Sequence, residues 1–504
     1  MVTPGQTRSE AFQWASLPAE IRMMILKTIA RQKHRGWAAF ASVCKEWQRV
    51  LEQANFRKLK LSVPCLDEFA LVASPRRDMI RHIFLDIELP LYECPDCASP
   101  PTRDEDMSCN VSEAIWNLFD ILSAWEPAGD LALELNVYSP SDREHWFKGI
   151  QLSSDDVDDG EESSQMPLDA WRSESRCHDP RHGWVCGRQV VSPPRSAGMR
   201  LYEPVDLYFD EPLPCVPSVT SFVMRRQLRR NFCLPGLKQV LKSLVRLEHL
   251  VNEPWPPSTA SERLIREKAL ATLLRKSCPA TLRSLTIFED SWRFYNNFPR
   301  RPLDGFLLNP FPEGLRLRAT MASRSRDLQH LCISFMLHAE HLLRHCRLGW
   351  NWPHLQSLVL TSAFLQDVKP FRPSIYSLLR RAAVVAQRMP ELHTFVLWNG
   401  ARGHAAAFIY RADRDGVSIT WRATWPLSLS KDPLLLGAWR LVAARLPFLE
   451  LRLRHQRIVR AICSHGDAIH YLKLPCQVIE PASLWQIRRE AYSPFPRVAC
   501  RPTR

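Results

Sequence analysis

The 504-residue chain contains no run of about 18 uncharged apolar residues, which excludes a helical membrane span. Its opening stretch, "MVTPGQTRSEAFQW", lacks the apolar core of a secretory leader, so an intracellular protein is expected, in the cytoplasm, the nucleus or both. Glycine is scarce, with 17 in all. No phosphate-cradling loop, dinucleotide fingerprint or G-x-S-x-G elbow occurs among them. Nothing argues for catalysis, and neither a cofactor nor a catalytic residue is expected. Lysine is also rare, supplying 13 of the 67 basic residues. The 15 cysteines, in a chain with no export signal, read as mostly buried thiols rather than a disulfide framework.

What is present is a strong positive balance. The formal charge is +14 and the pI about 9.2. The basic residues are dispersed, with Arg225, Arg226, Arg229 and Arg230 in one place and Arg316, Arg318, Arg324 and Arg326 in another. No aromatic-interleaved motif accompanies them, so they read as solvated surface and nucleic acid is not the expected partner.

Apolar periodicity divides the chain. Residues 12–60 form a compact cassette. Residues 61–138 hold two alternating, strand-like stretches, "RHIFLDIEL" (81–89) and "LALELNVYS" (131–139). Between them Ile115, Leu118, Phe119 and Leu122 recur at helical spacing. Residues 139–197 include "SSDDVDDGEESSQ" and are poor in periodic apolar positions, so they read as a mostly disordered acidic insertion. From 198 to 490 a loose repeat appears, and 491–504 is a tail.

The repeat has the form apolar-x-x-apolar-x-apolar. It occurs as "VTSFVM" (219–224), "LEHLVN" (247–252), "LRSLTI" (282–287), "LQHLCI" (328–333), "LQSLVL" (355–360) and "LHTFVL" (392–397). Amphipathic helices fill several gaps, one with Ile265, Ala269 and Leu273 on a face, another with Ile375, Leu378, Leu379, Ala382 and Met389. Strand–helix units in series bury their faces by stacking. The expected fold is therefore α+β or α/β, a three-helix N-terminal unit followed by an irregular leucine-rich-repeat-like solenoid. An ordinary α/β domain is the alternative.

In the cassette, Pro18 suits the first turn of a helix, and Ile21, Met24, Ile25 and Thr28 make one stripe. A second short helix is expected around Trp37, Phe40, Ala41 and Val43, and a third around Trp47, Val50 and Leu51. Three short helices make a marginal core that a partner could complete. The pattern Leu17-Pro18-x-Glu20-Ile21, then Ile25-Leu26, then Val43-Cys44-x-x-Trp47, resembles an F-box. It departs in the middle, where "RQKHRGWAA" stands in place of a leucine-rich loop. Two further stretches resemble a poorly characterised group of fungal F-box proteins: "LDIELPLYECPDC", and a C-terminal module from "WNGARGHAAAFIYRADRDGVSITWRATW" to "SHGDAIHYLKLPCQVIEPASLWQIRRE". The resemblance implies docking on the Skp-type adaptor of a cullin–RING ubiquitin ligase through Leu17, Pro18, Ile21, Ile25, Leu26, Val43, Cys44 and Trp47. It also implies recruitment of a protein substrate by the repeat region.

Three other constellations carry less. Cys94 and Cys97 form a C-x-x-C, and "CHDPRHGWVC" adds Cys177, His178, His182 and Cys186. The halves lie about 80 residues apart and fit no compact zinc module, so they read as loop cysteines without metal. His341 and His345, with His338 before them, lack the glutamate of a zincin and read as surface or partly buried histidines. "SHGD" (464–467) reads as a turn, with Gly466 as its permissive residue, before a strand "AIHYLKL".

Overall fold

The computed structural model describes residues 14–32, 36–99, 105–148, 178–202, 204–257, 260–290, 314–347, 349–414, 416–445 and 450–492. It is a mixed α/β protein built on one large, mostly parallel sheet. In chain order the strands are β1 (Lys58–Ser62), β2 (His82–Glu88), β3 (Ala132–Tyr138), β4 (Trp184–Val185), β5 (Arg188–Gln189), β6 (Ser221–Met224) and β7 (His249–Asn252). There follow β8 (Ser284–Phe288), β9 (His330–His338), β10 (Ser357–Thr361), β11 (Thr394–Ala401), β12 (His404–Asp413), β13 (Gly416–Ala423) and β14 (Leu451–Arg457). All but β4 and β5, which pair with each other, join a twelve-stranded sheet whose spatial order is the chain order. Pairing is parallel throughout except on either side of β12.

Each of the six repeat motifs supplies one strand from β6 to β11. Their third residues stand in register across the sheet: Ser221, His249, Ser284, His330, Ser357 and Thr394. The fourth residues, Phe222, Leu250, Leu285, Leu331, Leu358 and Phe395, point the other way and are buried in one continuous core. Because side chains alternate along a strand, a repeat with apolar residues at positions four and six lines a single face. Helices in the connections cover that face, including Leu66–Ala73, Glu105–Ser123, Leu234–Ser243, Leu315–Arg324 and Arg372–Ala386. The periodicity located this face well: Ile115, Leu118, Phe119 and Leu122 are fully buried, as are Ile375, Leu379 and Ala382. Ile265 is a correction. It is 67% exposed, because helix Ala260–Lys276 turns Leu270 and Leu274 inward beside the expected Leu273.

β1 to β3 extend the same sheet, so residues 61–138 are continuous with the repeat region. β1 itself begins at Lys58, inside the segment assigned to the cassette. Its "FRKLKL" (56–61) has the repeat form, with Phe56, Leu59 and Leu61 at the apolar positions and all three packed against the core.

The opposite face of the sheet is divided. Over β8–β12 it is apolar, and residues 458–487 fold back to cover it, with Ile462, Ala468, Ile469, Leu472, Val478, Ile479 and Ile487 packing on Phe288, Val359, Val396 and Trp398. Here "AIHYLKL" is not a strand but most of helix His465–Leu472. Ser464 caps it by accepting the Asp467 N–H at 3.1 Å, while Asp467 accepts the Cys463 N–H at 3.1 Å. Gly466 serves close packing rather than a turn, since a Cβ there would lie 2.7 Å from Ile487 Cγ2. Over β1–β3 the same face is polar, with Lys60 paired to Asp86 at 3.0 Å and Asn136 donating to Asp86 at 2.8 Å.

The insertion is also corrected in part. Residues 178–202 carry β4, β5 and helix Arg195–Tyr202, and Phe147, Ala197 and Leu201 form a small core of their own. Residues 149–177, which hold the acidic run, and 493–504 of the tail lie outside the described residues. No helix among the described residues is long and apolar enough to cross a membrane.

Candidate functional site

The N-terminal cassette comprises helix Ala19–Gln32, a short 3-10 segment Trp37–Ser42 and helix Lys45–Arg57, which runs directly into β1. The Pro18 carbonyl accepts the N–H groups of Ile21 and Arg22, both at 3.1 Å, and so opens the first helix. Arg22 and Glu46 then clip the helices together. Arg22 Nε donates to Glu46 at 2.9 Å and its Nη1 to the Leu17 carbonyl at 2.7 Å, while Trp14 Nε1 donates to Glu46 at 3.0 Å. The Arg22 and Trp14 bonds hold the Glu46 carboxyl below its ordinary range. Trp47 lies between Trp14 and Phe40, with ring centroids 5.3 and 6.1 Å away.

Within the cassette only Leu26 and Leu51 are fully buried apolar side chains among the described residues. Ile21 (41% exposed), Met24 (64%), Ile25 (36%) and Val43 (60%) remain on the surface, as does Phe40. Pro18 and Cys44 are exposed, and Leu17 and Trp47 half-buried. Leu26 is therefore a correction to the expected contact set: the i+5 position from Ile21 turns inward, and its side chain holds the helices together instead. Val43, in the same set, is open to solvent. Arg22, Glu46 and Trp14 were missed because nothing local marks an ion pair that forms across 24 residues.

A second cluster gathers at the carboxyl ends of the parallel strands, the usual place for sites in such sheets. The four arginines read as solvated surface are buried and internally paired, which corrects that reading. Arg226 bonds Asp290 at 2.7 Å, Gln486 at 2.6 Å and Glu490 at 2.9 Å, and Arg229 shares Glu490 at 2.8 Å. Both guanidiniums lie over the Trp255 ring, at 4.7 and 4.6 Å. Arg225 pairs with Glu134, and Arg230 grips Asp142 through bonds of 2.6 and 2.7 Å. His465 reaches Asp290 at 2.8 Å. Burial raises the Asp290 carboxyl, but Arg226 and His465 outweigh it and hold it below the ordinary range. Glu253 goes the other way, pushed up to about 7 by burial and by Glu480, although it accepts bonds from Arg226 N, Glu480 N and Ser483 Oγ. Helix Pro481–Tyr492 roofs this cluster, supplying Ser483, Gln486 and Glu490.

Beyond it, the two cysteine–histidine stretches meet, against the reading of them as unrelated loops. Cys94 Sγ lies 3.3 Å from His182 Nε2, and His145, which the sequence reading passed over, lies 3.3 Å from the same nitrogen. Cys177 falls outside the described residues, while Cys186 and His178 form a separate pair 4.0 Å apart. The zincin comparison likewise gains nothing: His338 ends β9, and His341 and His345 lie on the short helix Ala339–His345.

A family of unknown function (DUF6546) matches residues 277–480, less than half of the chain. That stretch runs from just before β8 to the residue before the roofing helix. No curated protein matches.

Proposed function

We propose that this chain is an F-box substrate receptor of a cullin–RING ubiquitin ligase. The observation that carries the reading is an exposed apolar stripe (Ile21, Met24 and Ile25), with Val43 also exposed, on a small cassette with a two-leucine core. It coincides with the Leu-Pro start and Val-Cys-x-x-Trp end of the F-box pattern. A stripe that the chain itself leaves uncovered suits an apolar groove on a Skp-type adaptor, where a few aliphatic anchors can dominate affinity. Leu17, Pro18, Ile21, Ile25, Val43 and Cys44 are assigned to that contact, Trp47 to its support.

The remainder is read as an irregular leucine-rich-repeat-like solenoid. Strand order equal to chain order, with the connecting helices on one face, supports this. Residues 458–492 occupy half of the other face, and at its opposite edge the exposed β1 side chains Lys58, Lys60 and Ser62 are left for a protein substrate. The buried arginines are not assigned to substrate, because their acidic partners are internal.

Co-expression with adaptor and cullin tests the proposal. Both should co-purify with the full chain and neither with a chain lacking residues 1–57, which keeps β1 intact. Adaptor without cullin would favour a scaffold acting outside a ligase. Capture of neither by the full chain would remove the reading. An enzyme with a hidden site is the third reading, for which the enclosed Arg226–Asp290–His465 cluster is one candidate among the described residues.

A further inference from the structure

We propose that Cys94, His145 and His182 form a zinc site. Their ligand atoms all lie within 4.8 Å of one another, with both histidines buried and Cys94 half-buried. The two closest separations, sulfur to nitrogen and nitrogen to nitrogen, are each 3.3 Å. Tetrahedral zinc with bonds of about 2.3 Å to sulfur and about 2.0–2.1 Å to nitrogen places its donors about 3.3–3.6 Å apart.

The tautomers carry the argument further. His182 Nδ1 faces Asp179 Oδ2 at 2.7 Å, and an ionised carboxylate can only accept, so Nδ1 bears the hydrogen. His145 Nε2 faces the Tyr92 carbonyl at 3.2 Å, which again fixes the hydrogen on that nitrogen. In the neutral rings the remaining nitrogens, His182 Nε2 and His145 Nδ1, are both lone-pair acceptors. They are the pair that meets at 3.3 Å. A thiol could donate to one of them and would leave the other facing a lone pair. A cation between them satisfies both and draws the sulfur in as thiolate. A carboxylate behind one histidine and a carbonyl behind the other are the outer partners that zinc-bound histidines characteristically have.

Nitrogen and thiolate donors together favour zinc over calcium or magnesium. Cys97, buried three residues along on the same short helix, Cys94–Ala98, is the candidate for the fourth position. The ion would staple that helix to the segment after Ser141–Glu144 and to the turn Pro180–His182, fastening both ends of the insertion to the sheet.

The test is elemental analysis of the full chain, produced with zinc in the medium and purified with reductant and no chelator. About one zinc per chain is expected. The pair Cys94→Ser and His182→Gln should reduce it at least fivefold, whereas Cys186→Ser should retain it. Should the double variant fail to fold, the wild type still decides. Stripped of metal and titrated against a chromophoric chelator, it should take up one equivalent of zinc, and with cobalt it should show a sulfur-to-metal charge-transfer band. Wild-type protein that carries no zinc and takes none up would mean that the histidines share a proton, and would overturn the site. Equal loss of zinc in Cys186→Ser would overturn its assignment to Cys94.

Discussion

Replacing Ile21, Met24, Ile25 and Val43 together by alanine separates docking from folding. Their exposures add to about two whole side chains left in water by the folded chain. Burying one such side chain is worth about 1.5–3 kcal/mol, so a partner that covers the stripe gains about 3–6 kcal/mol from it. At 1.4 kcal/mol per factor of ten, the variant should lose at least about a hundredfold in affinity for the adaptor. Its melting temperature should fall by only a few degrees, because Leu26 and Leu51 are untouched and the stripe is already half-solvated. Leu26→Ala provides the contrast: it removes a fully buried side chain and should cost about 2–5 kcal/mol in the cassette itself. The assay is titration of purified adaptor, followed by biolayer interferometry, beside a thermal melt of each variant. Undiminished adaptor binding by the alanine variant would refute the docking surface, and with it the F-box reading.

Arg226→Met would leave buried Asp290 with His465 and Glu490 with Arg229 as charged partners and should destabilise by about 3–5 kcal/mol in chemical denaturation, whereas Arg452→Met on the exposed edge strand β14 should change stability by less than about 0.5 kcal/mol. Gly400→Val should loosen the C-terminal helices, since even a Cβ there would come within 2.2 Å of Ala468 Cβ; limited proteolysis should then open first between 458 and 492. Glu253, with its carboxyl raised from 4.5 to about 7, binds its proton more tightly folded than unfolded. The wild type should therefore lose stability relative to Glu253→Gln as pH rises from 4.5 towards 7, by an amount of order 3 kcal/mol, and the difference should level off above that. A difference that is flat across this range in paired melts would show that Glu253 ionises normally.

The sheet was legible because its signal repeats. Five of the six motifs place two apolar residues on one face, the sixth places Leu250 with Asn252, and every one became a strand. β1 escaped notice because the intervening positions of "FRKLKL" carry Arg57, Lys58 and Lys60, although its apolar positions are those of "LQSLVL". The C-terminal fold-back was not legible. "AIHYLKL" alternates like a strand, and the local Ser464–Asp467 cap that starts its helix reads as a turn, while the approach that Gly400 and Gly466 allow depends on spatial neighbours. The buried arginines were hidden for a related reason: composition cannot distinguish a solvated guanidinium from one whose partner lies 260 residues away. The Cys94–His145–His182 cluster likewise joins positions 88 and 37 residues apart, beyond the reach of any motif spacing.

That distance has a consequence for how the chain leaves the ribosome. Arg226 emerges 264 residues before Glu490, an interval of about 13–50 s at ordinary elongation rates of about 5–20 residues per second. Throughout it the sheet can assemble strand by strand, since neighbours in space are neighbours in synthesis, but Phe288, Val359, Val396 and Trp398 stay bare as they appear. The nascent chain thus carries an apolar strip that residues 458–492 will eventually hide, and a chaperone is the expected interim cover. Stalled chains ending at 457 should be retained by a chaperone column, and released full-length chains should not. Equal retention of both would show that the strip finds its cover elsewhere.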